Sequence, residues 1–366
     1  MVSKITTVDL FCGAGGFSEG FSKSGGFKPL LAVDFDKQAI GTFQHNHPKI
    51  PTICADISEL SKDTLLSLTK NEKVQVIIGG PPCQGFSLAG KRLPDDPKNI
   101  LFKEYVRIVD ILQPDIFIFE NVVGIVSMQG GLVLEAICNE FSKIGYELSH
   151  SVLNSADYGV PQARPRFIMI GSRHNKIIGM PEQTHEALGK KGGNTQLKNH
   201  VSVKDALSNL PLIHQGQGQE EVVNTKATNE YQKIISGNRY PGKLFNQRAT
   251  RHNELIVERY SHLPQGGDIR SLPENLRTKK NNVFRLKDDV PSRTITCNFR
   301  TDIIHPWIPR GITTREAARL QSFDDDYQFF GNLTRKAKYL TQDDQVGNAV
   351  PPLLAKALAD HIKEYL

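Results

Sequence analysis

Short apolar runs alternate with longer amphipathic stretches over the first 173 residues of the chain. The runs TTVDLF, KPLLAVDF, PTICADI, VQVIIGG, PDIFIFEN and RFIMIGS each fit a buried strand. Between the runs, residues Lys37–Asn46, 103–112 and 132–144 repeat apolar positions every three or four places, which predicts helices. Strand and helix in alternation predict an α/β fold: a doubly wound, mostly parallel sheet with helices on both faces. Such sheets bind ligands at the carboxyl ends of their strands, so the residues that end each run are where chemistry is expected.

The alternation stops after Arg173. HEALGKKGGNTQLKNH and HQGQGQEEVVNTKATNEYQ are polar, rich in Gly, Gln and Asn, and weakly periodic, which predicts loops on a smaller irregular domain. A helical pattern returns in TTREAARLQSF, with Thr313 or Thr314 as N-cap and Glu316 in the first turn. A last helix opens at the proline pair of NAVPPLLAKALADHIKEYL, where a first turn tolerates proline. The expected division is a catalytic domain over 1–173, a second domain over 174–300, and a linking helix plus C-terminal helix over 301–366, the latter packing back on the first domain. Charge supports that division. Residues 1–173 hold 17 basic and 18 acidic side chains, 174–300 hold 20 and 12, and 301–366 hold 8 and 9. The basic excess behind the net charge of +6 thus lies in the middle segment. A polyanion-binding module joined to a neutral catalytic one has this pattern.

No apolar run approaches the roughly 18 residues of a membrane span, and the first residues lack the apolar core of a signal peptide. The five cysteines are scattered without a C-x-x-C pair, which argues against a zinc site or a disulfide framework and for a reducing, cytoplasmic setting. Cys12, Cys54, Cys138 and Cys297 suit the ordinary role of small buried apolar residues. Cys83 is placed otherwise. In IIGGPPCQGFS it stands at the exit of the fourth run, pinned by Pro81 and Pro82 and followed by a long basic loop. That suits a nucleophilic thiol covered once substrate arrives.

The fifth run ends in Glu120 and Asn121. A buried carboxyl at Glu120 would hold its proton nearer to neutral pH, and parallel neighbouring strands would bring it to the same rim as Cys83. Arg164 and Arg166 alternate in QARPRF, so both would point to one face and steady the glutamate or an anionic ligand. The turn after the first run supplies Gly13, Gly15 and Gly16, yet Ser18 stands where a dinucleotide fingerprint has its last glycine. Asp34 and Asp36 flank Phe35 at the end of the second run, and Asp56 ends the third. Acceptors for ribose hydroxyls beside an aromatic face predict an adenosine-containing cofactor.

In order, these stretches resemble the DNA (cytosine-5)-methyltransferase family of bacterial, restriction–modification type, over nearly the whole chain. DLFCGAGGFSEGF and VDFDKQA are similar to its cofactor motifs, GGPPCQGFS to its Pro-Cys motif, FENV to its Glu-Asn-Val motif and QARPRF to its Gln-x-Arg-x-Arg motif. TTREAARLQSF and QVGNAVPP resemble its late motifs, and the basic segment before them takes the place of its target-recognition domain. The resemblance implies a Rossmann-like class I fold, S-adenosyl-L-methionine as methyl donor with no metal, and a cytosine flipped out of duplex DNA as acceptor. It implies that Cys83 attacks C6, that Glu120 hydrogen-bonds N3, and that Arg164, with Arg166 nearby, steadies the adduct or the O2 side.

The cofactor would lie along Phe11, Gly13, Gly15, Asp34 and Phe35, then Asp56, Ile57, Pro82 and Leu101, with Asn348 and Ala349 from the closing motif. Gln84, Ser87, Lys91 and Arg92 would meet DNA from a loop, 84–99, that closes over it. A monomer in the bacterial cytoplasm near the nucleoid is implied, with a separate cognate restriction endonuclease left open.

Three other readings compete. A tRNA-methylating branch of the family usually carries a Cys-Phe-Thr element, and the nearest string here is TCNFR. A catalytically silent DNA-binding relative would lose the Pro-Cys or the Glu-Asn-Val pattern, and both are present. A nicotinamide dehydrogenase would need the complete glycine fingerprint.

Overall fold

The computed structural model describes residues 4–82, 100–173, 176–189, 196–280, 282–333 and 339–366. They form two compact units, one of Met1–Asn154, Pro165–Glu182 and Leu354–Leu366, the other of Ser155–Arg164 and Gln183–Leu353. No helix among the described residues is long and apolar enough to cross a membrane.

The first unit is built on seven strands: β1 (Ile5–Leu10), β2 (Phe27–Asp34), β3 (Thr52–Cys54), β4 (Val76–Gly79), β5 (Ile116–Asn121), β6 (Glu147–Asn154) and β7 (Pro165–Ser172). Their order is β3-β2-β1-β4-β5-β7-β6. The pairs among β1 to β5 are parallel, and β7 runs antiparallel to both β5 and β6. All six apolar runs are strands. β6, sequence ELSHSVLN, is a further strand that the pattern of runs does not reveal, because it lies at the sheet edge with Glu147, His150 and Val152 exposed.

Helices α1 (Gly16–Ser24), α2 (Lys37–Asn46), α3 (Lys62–Leu68), α4 (Ile100–Leu112) and α5 (Leu132–Lys143) lie between the strands. The Asp36 carboxylate starts α2 by accepting the N–H groups of Gln38 and Ala39, and the Ser61 hydroxyl starts α3 by accepting that of Thr64. In α4, Phe102, Tyr105, Val106, Val109 and Leu112 recur at helical spacing and join the main core. There Phe141 stacks on Phe117 with ring centroids 4.2 Å apart, and Tyr105 meets Phe119 edge-on at 5.6 Å. Each such ring contributes roughly 1.5–3 kcal/mol by burial. Past the end of the C-terminal helix Pro352–Ile362, Lys363 donates to the Ser24 carbonyl at 2.9 Å, while the Ser24 hydroxyl donates to Asp360 at 2.6 Å.

The second unit has little regular structure. Gly218–Val223 and Lys243–Arg248 form an antiparallel hairpin, and Thr314–Leu320 forms a helix whose residues are all buried. Thr313 caps that helix and Glu316 closes the capping box, as the sequence predicts. Arg310 grips Glu316 at 2.8 and 2.7 Å, and Arg319 grips Asp325 at 2.6 and 2.7 Å. Arg300 meets Asp343 at 2.7 Å. Arg315 donates to the carbonyls of Phe245, Asp324 and Tyr327. Irregular backbone leaves carbonyls without ladder partners, and a guanidinium brings five donors to meet them.

Candidate active site

Strands β4 and β5 are parallel neighbours, so Gly79 and Asn121 end on one rim. Glu120 is 9% exposed there, and Arg166 Nε lies 3.0 Å from its Oε1. The pair follows from register: Glu120 stands opposite Ile168 of β7, and Arg166, two residues away on the same face, is its diagonal neighbour. Burial lowers the Arg166 pKa from the ordinary guanidinium value, and Glu120 opposes that shift.

The chain leaving β4 is fastened beside this pair. Asn121 donates from Nδ2 to the Pro81 carbonyl at 3.0 Å. A Cβ on Gly80 would stand 2.8 Å from Glu120 Oε2, so the backbone passes where a side chain would collide with the carboxyl group. Pro81 is buried and Pro82 exposed. Cys83, Gln84, Ser87, Lys91 and Arg92 lie outside the described residues, as does the remainder of the 84–99 loop.

Arg164 departs from the expectation. β7 begins at Pro165, so Arg164 precedes the strand and the alternation that would set it beside Arg166 does not apply. It belongs to the second unit, fully buried, and donates to the carbonyls of Ile295 at 2.9 Å, Gly347 at 2.7 Å and Ala349 at 3.1 Å. Asn348, in the same unit, is exposed, and its Oδ1 lies 3.1 Å from the Cys297 thiol.

Of the four cysteines expected to be buried, Cys12 is, Cys54 is exposed, and Cys138 and Cys297 are half-buried. Cys54 closes β3, a three-residue strand at the sheet margin, too short for its end to be covered. Burial pushes the Cys12 and Cys138 thiols up, away from the thiolate form that a nucleophile needs.

The ends of β1, β2 and β3 make a second rim in the first unit. Phe11, Gly13 and Gly15 have φ of +58°, +52° and +94°. For Phe11 that left-handed backbone costs about 1–2 kcal/mol, a strain that marks the turn as shaped for use. Asp34 closes the turn, Oδ2 accepting from Gly13 N–H and Oδ1 from Asp36 N–H, both at 2.9 Å. Burial raises its pKa, opposed by those N–H groups. Phe35 stands beside it, 64% exposed. Asp56 is exposed and accepts the N–H and hydroxyl of Ser58 at 2.9 and 2.7 Å, bonds that lower its pKa. Ile57 is buried in the main core and Leu101 packs against it half-buried. An exposed ring flanked by carboxylates fits the flat base and hydroxyl donors of an adenosine-containing cofactor.

Asp9 in this unit, and Cys297 in the second, have partners that the sequence did not reveal. Asp9 of β1 is 4% exposed; one oxygen accepts the Ser18 hydroxyl at 2.6 Å, and Oδ1 has no hydrogen-bond partner among the described residues. Burial, reinforced by Asp34, pushes its pKa up to about 7. An acid inside an apolar run was its signal. Cys297 gave none, because its partner Asn348 is distant in sequence.

Comparison with known proteins gives the family. The sequence profile of the C-5 cytosine-specific DNA methylase family matches residues 5–364. The type II methyltransferase M1.HphI of Haemophilus parahaemolyticus is 37% identical over 98% of this chain and 86% of its own length. M.DdeI of Desulfomicrobium norvegicum is also 37% identical, over 98% and 88%. The crystal structure of a prophage-encoded E. coli protein described as a DNA modification methyltransferase superposes with a TM-score of 0.78 at 28% identity, covering 99% of both chains. The Dnmt2 methyltransferase of S. pombe shares the fold alone, with a TM-score of 0.64 at 16% identity over 99% of both chains. With its rim of Glu120 and Arg166, its glycine turn and this profile over nearly its whole length, the chain belongs to the C-5 cytosine-specific DNA methylase family and is a DNA (cytosine-5)-methyltransferase.

Proposed function

We propose that the enzyme methylates a cytosine within a specific duplex DNA sequence through a covalent bond from Cys83 to C6, as the modification half of a type II restriction–modification pair. The observation that carries this reading is the hydrogen bond from Asn121 to the Pro81 carbonyl beside the buried Glu120–Arg166 pair. It holds the chain, two residues before Cys83, against a carboxyl group. The names of the type II relatives support the restriction–modification setting.

Cytosine C5 is a weak nucleophile. A bond from the Cys83 thiolate to C6 pushes ring electrons toward C5, which becomes enamine-like and able to take a methyl group. Glu120, carrying a proton, donates to N3 and stabilises the charge that grows there. Arg166 keeps Glu120 oriented at 3.0 Å. Arg164 is assigned to the backbone it holds rather than to the adduct. After methylation the C5 proton leaves to a base, the C5–C6 double bond re-forms and the sulfur departs. A thiol cannot reach C6 inside the stack, so the base is flipped out at a cost of a few kcal/mol.

S-adenosyl-L-methionine, the donor on which the family depends, supplies an electrophilic methyl group when bound. Phe35 would stack on its base, and Asp34 and Asp56 would accept from its hydroxyl and amine groups. Phe11, Gly13, Gly15, Ile57, Pro82 and Leu101 would line its path, with Asn348 and Ala349 from the closing motif. Gln84, Ser87, Lys91 and Arg92 would contact DNA while residues of 174–300 read its sequence, in a protein that works as a cytoplasmic monomer.

The test is a target duplex, found by bisulfite sequencing of plasmid DNA from expressing cells, with 5-fluorocytosine at the methylated position. With cofactor present the wild type is expected to give a denaturant-stable protein–DNA species, and Cys83→Ala none. A verified target that leaves no such species with the wild type overturns the covalent route. Methyl incorporation into tRNA but not duplex DNA would favour the RNA-methylating alternative.

A further inference from the structure

We infer that Cys297 and Arg164 are positioning residues that fix the direction in which Asn348 offers its side-chain amide, and so tune affinity for the cofactor. The inference rests on the proposal that Asn348 and Ala349 contact that cofactor. All the geometry lies within the second unit.

Two stretches of backbone meet here: residues 295–297, and the turn 347–349 where the helix Gln342–Asn348 ends. Gln162 and Arg164 hold Ile295 from both of its polar groups. Its N–H donates to Gln162 Oε1 at 2.7 Å, and its carbonyl accepts from Arg164 at 2.9 Å. The other guanidinium nitrogen of Arg164 reaches the Gly347 and Ala349 carbonyls at 2.7 and 3.1 Å. One buried side chain therefore ties the two stretches together. The approach is close enough that a Cβ on Gly347 would lie 2.6 Å from Cys297 N and 2.8 Å from the Thr296 carbonyl carbon, both backbone atoms.

The consequence falls on Asn348. Its Oδ1 lies 3.1 Å from Cys297 Sγ. An amide oxygen only accepts, so the thiol is the donor; its other acceptor, the Asp344 carbonyl, is farther off at 3.9 Å, and the nearer contact distinguishes the two ends of the amide. Nδ2, which has no acceptor among the described residues, is directed away from Cys297 on an exposed side chain. Without the thiol the amide could turn end for end, and a ligand acceptor would have to select one orientation on binding. Cys297 removes that choice beforehand, which is preorganisation of a donor.

The test uses the full chain and calorimetric binding of S-adenosyl-L-homocysteine, with Cys297→Ala, Cys297→Ser, Asn348→Ala and the Cys297→Ala/Asn348→Ala double variant. Cys297→Ala is expected to weaken binding roughly twofold, because about half of the freed amides then face the ligand the wrong way. Cys297→Ser, which restores an O–H donor, should recover most of the loss. Asn348→Ala should weaken binding at least as much, and the double variant should be no weaker than Asn348→Ala alone. Arg164→Lys, which cannot span the carbonyls, should weaken binding beyond Cys297→Ala while leaving a cooperative melt.

The outcomes separate. If Asn348→Ala weakens binding and Cys297→Ala does not, the positioning role is overturned while the cofactor reading stands. If Asn348→Ala binds as the wild type does, the cofactor reading of this turn fails and the inference with it. Losses that simply add in the double variant also overturn it, because they deny that the thiol acts through the amide.

Discussion

In the first unit Tyr105, Phe117, Phe119 and Phe141 meet ring against ring under a seven-stranded ladder, whereas in the second Arg300, Arg310, Arg315 and Arg319 lie at 6% exposure or less amid irregular backbone. The difference has one cause. A ladder pairs its own N–H and C=O groups, so apolar side chains can close over it. Loops cannot pair theirs, and guanidinium groups take over. The lesson concerns charge as well as stability. Arginine in a nucleic-acid-binding segment is naturally read as a contact to phosphate or bases. In this chain Arg300, at the end of the basic segment, and Arg310, Arg315 and Arg319 after it are spent inside, on carboxylates and carbonyls, so a count of arginines is not a count of surface charge.

Trp307, the single tryptophan of the chain, lies in the second unit, so its fluorescence follows that unit during unfolding. The largest expected effect is from Glu316→Ala, which strands Arg310 in a buried site; the loss should be about 3–5 kcal/mol in urea titrations followed by Trp307. A loss below about 1 kcal/mol, the scale of a surface pair, would break the contrast between the units.

Next in size is an opposed response to pH. Burial, against the pull of Glu316, lowers His305 to about 4, below its unfolded value. The unfolded chain then binds the extra proton, so this contribution is complete above about pH 6.5 and is lost as pH falls toward 4, by up to ~3 kcal/mol. Asp9 in the first unit is raised to about 7, so the sign reverses: its contribution is complete below about pH 4 and is lost as pH rises through 7. The stability gap between wild type and His305→Gln should therefore shrink on acidification, and that between wild type and Asp9→Asn should shrink on raising the pH. Parallel slopes would show that the two sites do not titrate as their surroundings require.

The smallest effect sharpens the comparison from the other side. Ile137 is fully buried in the aromatic core, and Ile137→Val should cost about 1 kcal/mol, read from hydrogen exchange of β5 amides. An apolar core loses a methylene gradually, while a buried ion pair fails outright when halved.

Much of the first unit was legible because its strands are apolar runs, with Asp34, Asp56 and Glu120 at or close to the ends of those runs. The capping box at Thr313 was legible because cap and acid lie three residues apart. What escaped is what depends on pairing across the chain. β6 is exposed on its margin and carries no apolar run, and the antiparallel direction of β7 leaves no mark in hydrophobicity. Arg164 and Arg166 look equivalent until the strand is seen to start between them at Pro165. The fate of the buried arginines, like the Asn121–Pro81 and Cys297–Asn348 contacts, is decided by partners that no local window contains.

The two margins of the sheet bear on behaviour at high concentration. β3 offers three residues, and the eight of β6 turn Glu147 and His150 outward beside the exposed Val152. Neither gives another copy a template that is both long and oily on which to add a strand. Crowded molecules should accordingly slide past one another instead of polymerising edge to edge, and a variant that lengthened the first margin or greased the second would be the one to seed fibres.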